Sequence, residues 1–277
     1  MAKGSWFAAL LASAMLLGCG ETRVTLLAPL VEHADSGSAD AGAPIDARDA
    51  ETPTPLNAEH LIHRYSFDGE GSRVVDSVGT AHGSLQGGAV LDGAGHASLD
   101  GVDDYVNLPN GLISRLTDVT LVAWLAWNGG NCWQRVFDFG SSDNGEDAVG
   151  NATTSLFATP KRCPGTGPAT SFETTASRIG SVDSDTAFPV LKVSVLALVV
   201  DARAQQLRLY AAGEPLGTGK AGPLSLLSDE NDWLGRSQWV QDEYLRGTYD
   251  EFRIYDAALS DADLAGLEAA GPDSLAQ

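Results

Sequence analysis

Basic residues are scarce in this 277-residue sequence: 17 lysines and arginines stand against 37 aspartates and glutamates, a formal charge of -20. Nucleic-acid binding needs a clustered Lys/Arg surface to meet phosphate, and no such cluster occurs, so that class is excluded. No internal apolar run is long enough to span a bilayer. A Gly-x-Ser-x-Gly elbow is missing, and the five histidines, His33, His60, His63, His82 and His96, have no serine placed for a triad. Glycine-rich phosphate cradles are absent as well. The acid excess is compatible with solubility, with a repelling surface, or with carboxylates gathered around a divalent cation.

The first residues are more informative. Lys3 supplies a positive start, Trp6 to Leu17 is apolar but too short for a stable membrane span, and Leu16-Leu17-Gly18-Cys19 follows. That order is the export-signal pattern. Its end resembles a bacterial lipobox, which implies cleavage after residue 18 and a lipid on Cys19. Such an anchor holds a protein to a membrane without crossing it. Gly20 after the cysteine points by the same resemblance to the outer membrane or cell surface of a bacterial envelope. An ordinary secretory peptide with a chance cysteine is the alternative.

Residues 19–59 read as an acidic, flexible linker. Asp35-Ser-Gly-Ser-Ala-Asp-Ala-Gly-Ala-Pro44 has no periodicity and no aromatic residue, and acids outnumber Arg23 and Arg48 throughout. Such a segment cannot bury enough apolar surface to offset its ordering entropy. Setting Cys19 aside leaves Cys132 and Cys163 of the three cysteines. In an oxidising compartment an even pair predicts a disulfide closing a loop of about thirty residues, on the order of 3 kcal/mol. A metal site is the alternative, but neither cysteine has a second ligand at metal spacing.

Beyond Leu61 short alternating runs are separated by Gly, Asp, Asn and Pro, the pattern of an all-β sandwich. Val119 to Trp127 is apolar on both faces, as a central strand would be. Val190 to Val200, a polar turn, and Leu207 to Ala211 predict a hairpin. Ser260 with Asp263 three residues on predicts a capped C-terminal helix carrying Leu264 and Leu267.

Three segments carry a resemblance. They are Tyr65-Ser-Phe-Asp-Gly69 with Asp76-Ser and His82-Gly-Ser-Leu85; Leu99-Asp-Gly-Val-Asp-Asp-Tyr-Val-Asn-Leu108 with Val119-Thr-Leu-Val-Ala-Trp124; and Gly247-Thr-Tyr-Asp-Glu-Phe-Arg-Ile-Tyr-Asp-Ala-Ala-Leu-Ser-Asp-Ala-Asp-Leu264. In this order they resemble the LamG-like jelly rolls of the concanavalin A-like lectin/glucanase superfamily. The resemblance covers residues 60–268 and leaves 269–277 as a tail. It implies a two-sheet antiparallel jelly-roll sandwich with one short C-terminal helix, its first and last strands adjacent. The stretch from Cys132 to Pro189 reads as a long irregular insert.

Within that frame Asp68 and Asp250 are the expected calcium ligands, with exposed strand-end carboxylates as the plainer reading. The acidic turn Asp143-Asn-Gly-Glu-Asp147 reads as a solvated loop. The glucanases of the superfamily use Glu-x-Asp-x-x-Glu on one strand face, and that pattern is absent: Glu230-Asn-Asp232 begins it, but Gly235 stands where the last glutamate belongs. Adjacent acids such as Asp242-Glu243 would face opposite ways. Trp124 reads as core. Trp127, Trp133, Trp233 and Trp239 fall near strand ends or loops, with Trp133 and Trp239 the candidates for stacking on a ligand. Together these readings predict a noncatalytic, extracytoplasmic binding or adhesion module for a glycan or a cell-surface protein, assisted by calcium. A structural surface lipoprotein and a divergent glycoside hydrolase are the alternatives.

Overall fold

A computed structural model describes residues 58–274; the signal segment, Cys19 and most of the expected linker lie outside the described residues. Apolar side chains repeating every second residue drive extended backbone to stack face to face. The first strands are β1 (Leu61–Tyr65), β2 (Arg73–Val74), β3 (Gly83–Gln86), β4 (Val90–Leu91), β5 (Ala97–Asp100) and β6 (Tyr105–Leu108). Next come β7 (Val119–Trp127), β8 (Phe137–Ser142), β9 (Ala152–Thr159), β10 (Ala169–Thr174) and β11 (Arg178–Asp183). The last are β12 (Val193–Asp201), β13 (Gln206–Ala211), β14 (Glu214–Lys220), β15 (Asn231–Leu234) and β16 (Arg246–Tyr255), before helix α1 (Asp261–Ala270).

Two antiparallel sheets result. The first runs β14-β13-β12-β7-β16-β5-β4, with β1 also paired to β16; the second runs β11-β10-β9-β8-β15-β6-β3-β2. The first and last strands are therefore neighbours, with Tyr65 opposite Phe252. β7 is central, between β12 and β16, which explains its two apolar faces. Tyr65, Phe67, Phe137, Phe139, Phe172, Tyr249 and Phe252 fill the space between the sheets. Each such burial contributes roughly 1.5–3 kcal/mol before entropy is counted. Among the described residues no helix is long and apolar enough to cross a membrane.

The 132–189 segment is not an irregular insert. It supplies β8 to β11, half of the second sheet. Phe137 and Phe139 point inward, while Asp138 between them is polar yet buried. Tertiary cover hides the polar half of the alternation, so the segment does not read as strand by hydropathy.

The outer face of the first sheet has its own apolar cluster, in which Leu264 and Leu267 of α1 cover Val122, Trp124, Val195, Ala197 and Tyr255. Trp124 is thus buried, as expected. The helix starts as its sequence requires: Ser260 Oγ accepts from the Asp263 N–H at 3.2 Å, and Asp263 Oδ2 accepts from the Ser260 N–H at 2.8 Å. Beside this cluster lies a buried charge group. Arg64 donates to Glu251 through Nε at 3.0 Å and Nη2 at 2.6 Å, and Arg253 Nε donates to the same carboxylate. Arg253 also lies 4.7 Å from the Trp124 ring centre, and both arginines donate to the carbonyl of Pro272. Burial is the largest influence on Glu251 and pushes its carboxyl up, while the two guanidiniums pull it back.

At one side of the sandwich the end strands β11 and β14 lie against each other. A Cβ on Gly180 would stand 1.9 Å from the Lys220 carbonyl oxygen, and one on Gly219 would stand 2.4 Å from that of Ser181. Only glycine permits this approach.

Candidate ligand site

The outward face of the second sheet carries one row of side chains directly opposite one another. Ser84, Asn107, Trp233, Asp138, Phe157, Ser171 and Ser181 follow in register from β3 to β11. Neither Trp233 nor Phe157 belongs to the apolar clusters. Across the middle of the row lies a loop, residues 235–245, whose ends are tied by the Leu245 N–H donating to the Gly235 carbonyl at 2.8 Å. A loop of this length with joined ends packs as a unit on its own side chains. We call it the strap.

The strap is fixed by polar contacts to the row beneath. The Gln238 N–H donates to Asp138 Oδ2 at 3.1 Å, and Gln238 exchanges side-chain and main-chain hydrogen bonds with Asn231. Arg236 lies 4.1 Å above the Trp233 ring and 4.4 Å above the Tyr105 ring, covering Trp233 completely. Asp138 also accepts from Ser155 Oγ at 2.6 Å and from Arg135 Nε at 3.3 Å. Burial outweighs these donors and Arg135, and pushes the Asp138 carboxyl up to about 6.

That value has a consequence for stability. A carboxyl raised on folding favours the fold while it is protonated, so its contribution is present at low pH and is lost as pH rises from 3.8 to about 6. The size is about 3 kcal/mol. Relative to the wild type, Asp138→Asn should therefore gain roughly 2–2.5 kcal/mol between pH 4 and pH 7 in denaturant unfolding. A difference that does not change with pH would refute the assignment.

Where the strap ends, a cleft of ≈ 300 Å³ opens, lined by Trp133, Arg135, Phe157, Glu173, Arg178, Trp239, Gln241 and Asp242. Trp133 and Trp239, over a hundred positions apart in the chain, meet here. Trp133 precedes β8 on the loop pinned by the Cys132–Cys163 disulfide, whose Cα atoms lie 5.7 Å apart. Its backbone occupies the left-handed region at φ 67, held by its N–H donating to the Lys161 carbonyl at 2.8 Å. Arg135 forms the floor, 3.9 Å from the Phe157 ring centre, with Nη2 donating to Asp242 Oδ2 at 2.7 Å. Ser237 Oγ donates to the same oxygen at 2.9 Å, and burial pushes the Asp242 carboxyl up. On the far wall Arg178 Nε donates to Glu173 Oε1 at 2.8 Å.

The other aromatic candidates serve the fold. Trp127 is buried, with Nε1 donating to Gln134 Oε1 at 2.8 Å. Trp233 lies inside β15 rather than at a loop, shut under Arg236. Arg135, Phe157, Glu173, Arg178 and Gln241 were not singled out from sequence, and Asp242 was weighed only as half of an adjacent acidic pair with Glu243; the local signals are a charged residue shortly after each tryptophan, Arg135 after Trp133 and Asp242 after Trp239.

Asp68 and Asp250 lie apart from this cleft. Both border the Asp92–His96 turn: a Cβ on Gly95 would stand 3.3 Å from Asp68 Oδ1, while Asp250 feels the charges of His96 and Asp92. Asp68 accepts from Ser66 Oγ at 2.7 Å, and burial pushes the Asp250 carboxyl up. Two carboxylates would need several backbone oxygens to complete a calcium shell. Among the described residues the one group of three acidic side chains within 4.8 Å is Asp100, Asp103 and Asp104. There the Asp104 oxygens already accept from the N–H groups of Gly88 and Asp100, which makes it a turn lock.

Residues 100–265 match a known family model, described as the concanavalin A-like lectin/glucanases superfamily. The chain belongs to this superfamily. No curated protein matches it. Among solved structures, domain 4 of an extracellular arabinanase from Geobacillus stearothermophilus, in complex with arabinotriose, is similar at 20% identity and TM-score 0.59. That match covers 76% of this chain and 98% of that one. A Trypanosoma rangeli sialidase matches at 16% identity and TM-score 0.55, over 78% of this chain and 34% of that one. Botulinum neurotoxin type C, whose cell entry is described as dependent upon interaction with two ganglioside molecules, matches at 12% identity and TM-score 0.55, over 76% of this chain and 51% of that one. At these identities the likeness is one of fold, and fold does not fix function.

Proposed function

We propose that the chain is a noncatalytic carbohydrate-binding module working outside the cytoplasm, and that the cleft at the end of the strap holds an uncharged sugar. The observation that carries this reading is the meeting of Trp133 and Trp239 around Arg135, Arg178, Glu173 and Asp242. Aromatic faces stack on the C–H faces of a sugar, while paired acceptors and donors at the rim suit its hydroxyls. Two arginines offset two acids in the cleft, and the -20 charge of the chain repels anionic polymers. Both features favour a neutral ligand. Each carboxylate is engaged by an arginine, Glu173 by Arg178 and Asp242 by Arg135, which suits binding rather than proton delivery. The arabinotriose named for one protein of similar fold is a neutral oligosaccharide, and the gangliosides named for another support carbohydrate binding only at the coarser level. In this reading Cys19 tethers the module to the bacterial envelope, and a calcium ion between Asp68 and Asp250 would steady the far loops without touching the sugar.

The test is a glycan panel containing arabinotriose, other neutral oligosaccharides and sialyllactose, probed with the full chain in calcium and again in chelator. Binding to neutral members is expected. Trp239→Ala should weaken it by about thirtyfold, the effect of a stacking anchor worth about 2 kcal/mol. A folded chain silent on the whole panel, or one whose binding survives both Trp133→Ala and Trp239→Ala, would overturn the proposal.

A further inference from the structure

The cleft occupies only one end of the cross-strand row. Between it and the Ser84–Asn107 end, the strap sits on Trp233 and Asp138. Trp233 would be the natural stacking platform for the next sugar along the row, and the Arg236 guanidinium lies on it at 4.1 Å. Arg236 is a buried cation, 8% exposed, with no carboxylate partner among the described residues; one 3.3 Å hydrogen bond to the Asp147 carbonyl and two aromatic faces hold it. Its Nε and the Trp233 Nε1 are both buried without hydrogen-bond partners. Two unmet donors at one contact cost stability. The geometry is therefore not the cheapest way to close a surface, and what it achieves is to fill the platform. The same strap supplies Trp239, Gln241 and Asp242 to the cleft wall. One loop builds the cleft and ends it.

We propose that the strap makes the cleft a reader of glycan ends, with Arg236 as the residue that stops a chain from continuing along the row. This rests on the carbohydrate reading above. The cleft, from Phe157 on β9 past Glu173 on β10 to Arg178 on β11, spans two strand spacings, about 10 Å, enough for two sugar rings. A third unit running along the row meets Arg236 and the Asp138–Gln238 contact instead of an aromatic face. An internal stretch of polysaccharide cannot lie across the sheet without displacing the strap.

The experiment is calorimetric titration of the full chain with ladders of one to six units of each neutral sugar on the panel. Affinity should rise from one unit to two and then stay within twofold up to six. A hexamer methylated on both terminal units should lose binding. In ¹⁵N-indole spectra the ligand should shift the signals of Trp133 and Trp239 and leave that of Trp233 in place. Affinity climbing tenfold or more from dimer to hexamer, undiminished binding of the capped hexamer, or a shifted Trp233 signal would each overturn the end-reading proposal while leaving carbohydrate binding intact. If no ladder binds, the carbohydrate reading falls and this one with it. Arg236→Ala should expose Trp233 and restore the gain with length; should that variant fail to fold, the wild-type ladder and indole signals still decide.

Discussion

Replacing Glu251 with glutamine should cost the fold about 3–5 kcal/mol, because it removes the counter-charge from two largely buried arginines. Arg253 is 1% exposed at its side chain and Arg64 14%, and Glu251 itself is fully buried. Glutamine keeps the shape and an oxygen acceptor, so the loss reports on charge rather than on a cavity. The melting temperature should fall by on the order of 10 °C. The proper control is Asp185→Asn, which breaks the Arg162 pair at a site where the aspartate is 80% exposed. Exposed pairs contribute less than about 1 kcal/mol. If Glu251→Gln is no worse than this control, the charge group is not a keystone of the outer face.

The second large effect belongs to the disulfide. Changing Cys132 and Cys163 together to serine should destabilise the chain by about 3–4 kcal/mol, since the bridge removes a loop of 31 residues from the freedom of the unfolded state. The same change should weaken ligand binding more than it weakens folding at sub-denaturing temperature. Trp133 follows Cys132 directly, and its left-handed backbone costs on the order of 1 kcal/mol that the surrounding constraints must hold. Without the bridge the loop can relax and carry the indole out of the cleft. Denaturant unfolding and sugar titration on one sample separate the two losses. Binding that persists unchanged in the double serine variant would show that the Lys161 contact alone positions Trp133.

How far the sequence could be read depends on which side of each strand carries the message. In β7 both faces are apolar, so hydropathy alone marks it as central, and it lies between β12 and β16. The α1 cap was equally legible, because Ser260 and Asp263 act on each other across three residues. The second sheet was not. Asp138, Ser155 and Ser171 occupy outward positions that look solvated yet are buried: Asp138 lies under the strap, nearly a hundred residues downstream, and Ser171 donates to the Glu173 carboxylate beside it. The cleft shows the same limit. Expected loop positions suggested Trp133 and Trp239, but Glu173 and Arg178 reach them only through the register of β9, β10 and β11. No window of sequence contains that register.

The glycine seam between β11 and β14 bears on how these molecules behave when concentrated. A sandwich whose last strands stand open offers its backbone as a template on which a neighbour can add a strand, and chains can then polymerise edge to edge. Here one end strand of each sheet is pressed against the other, at an approach that any side chain on Gly180 or Gly219 would force apart. The seam thus acts as protection against self-association at high local density, and a single added methyl group at either glycine would be enough to unzip it.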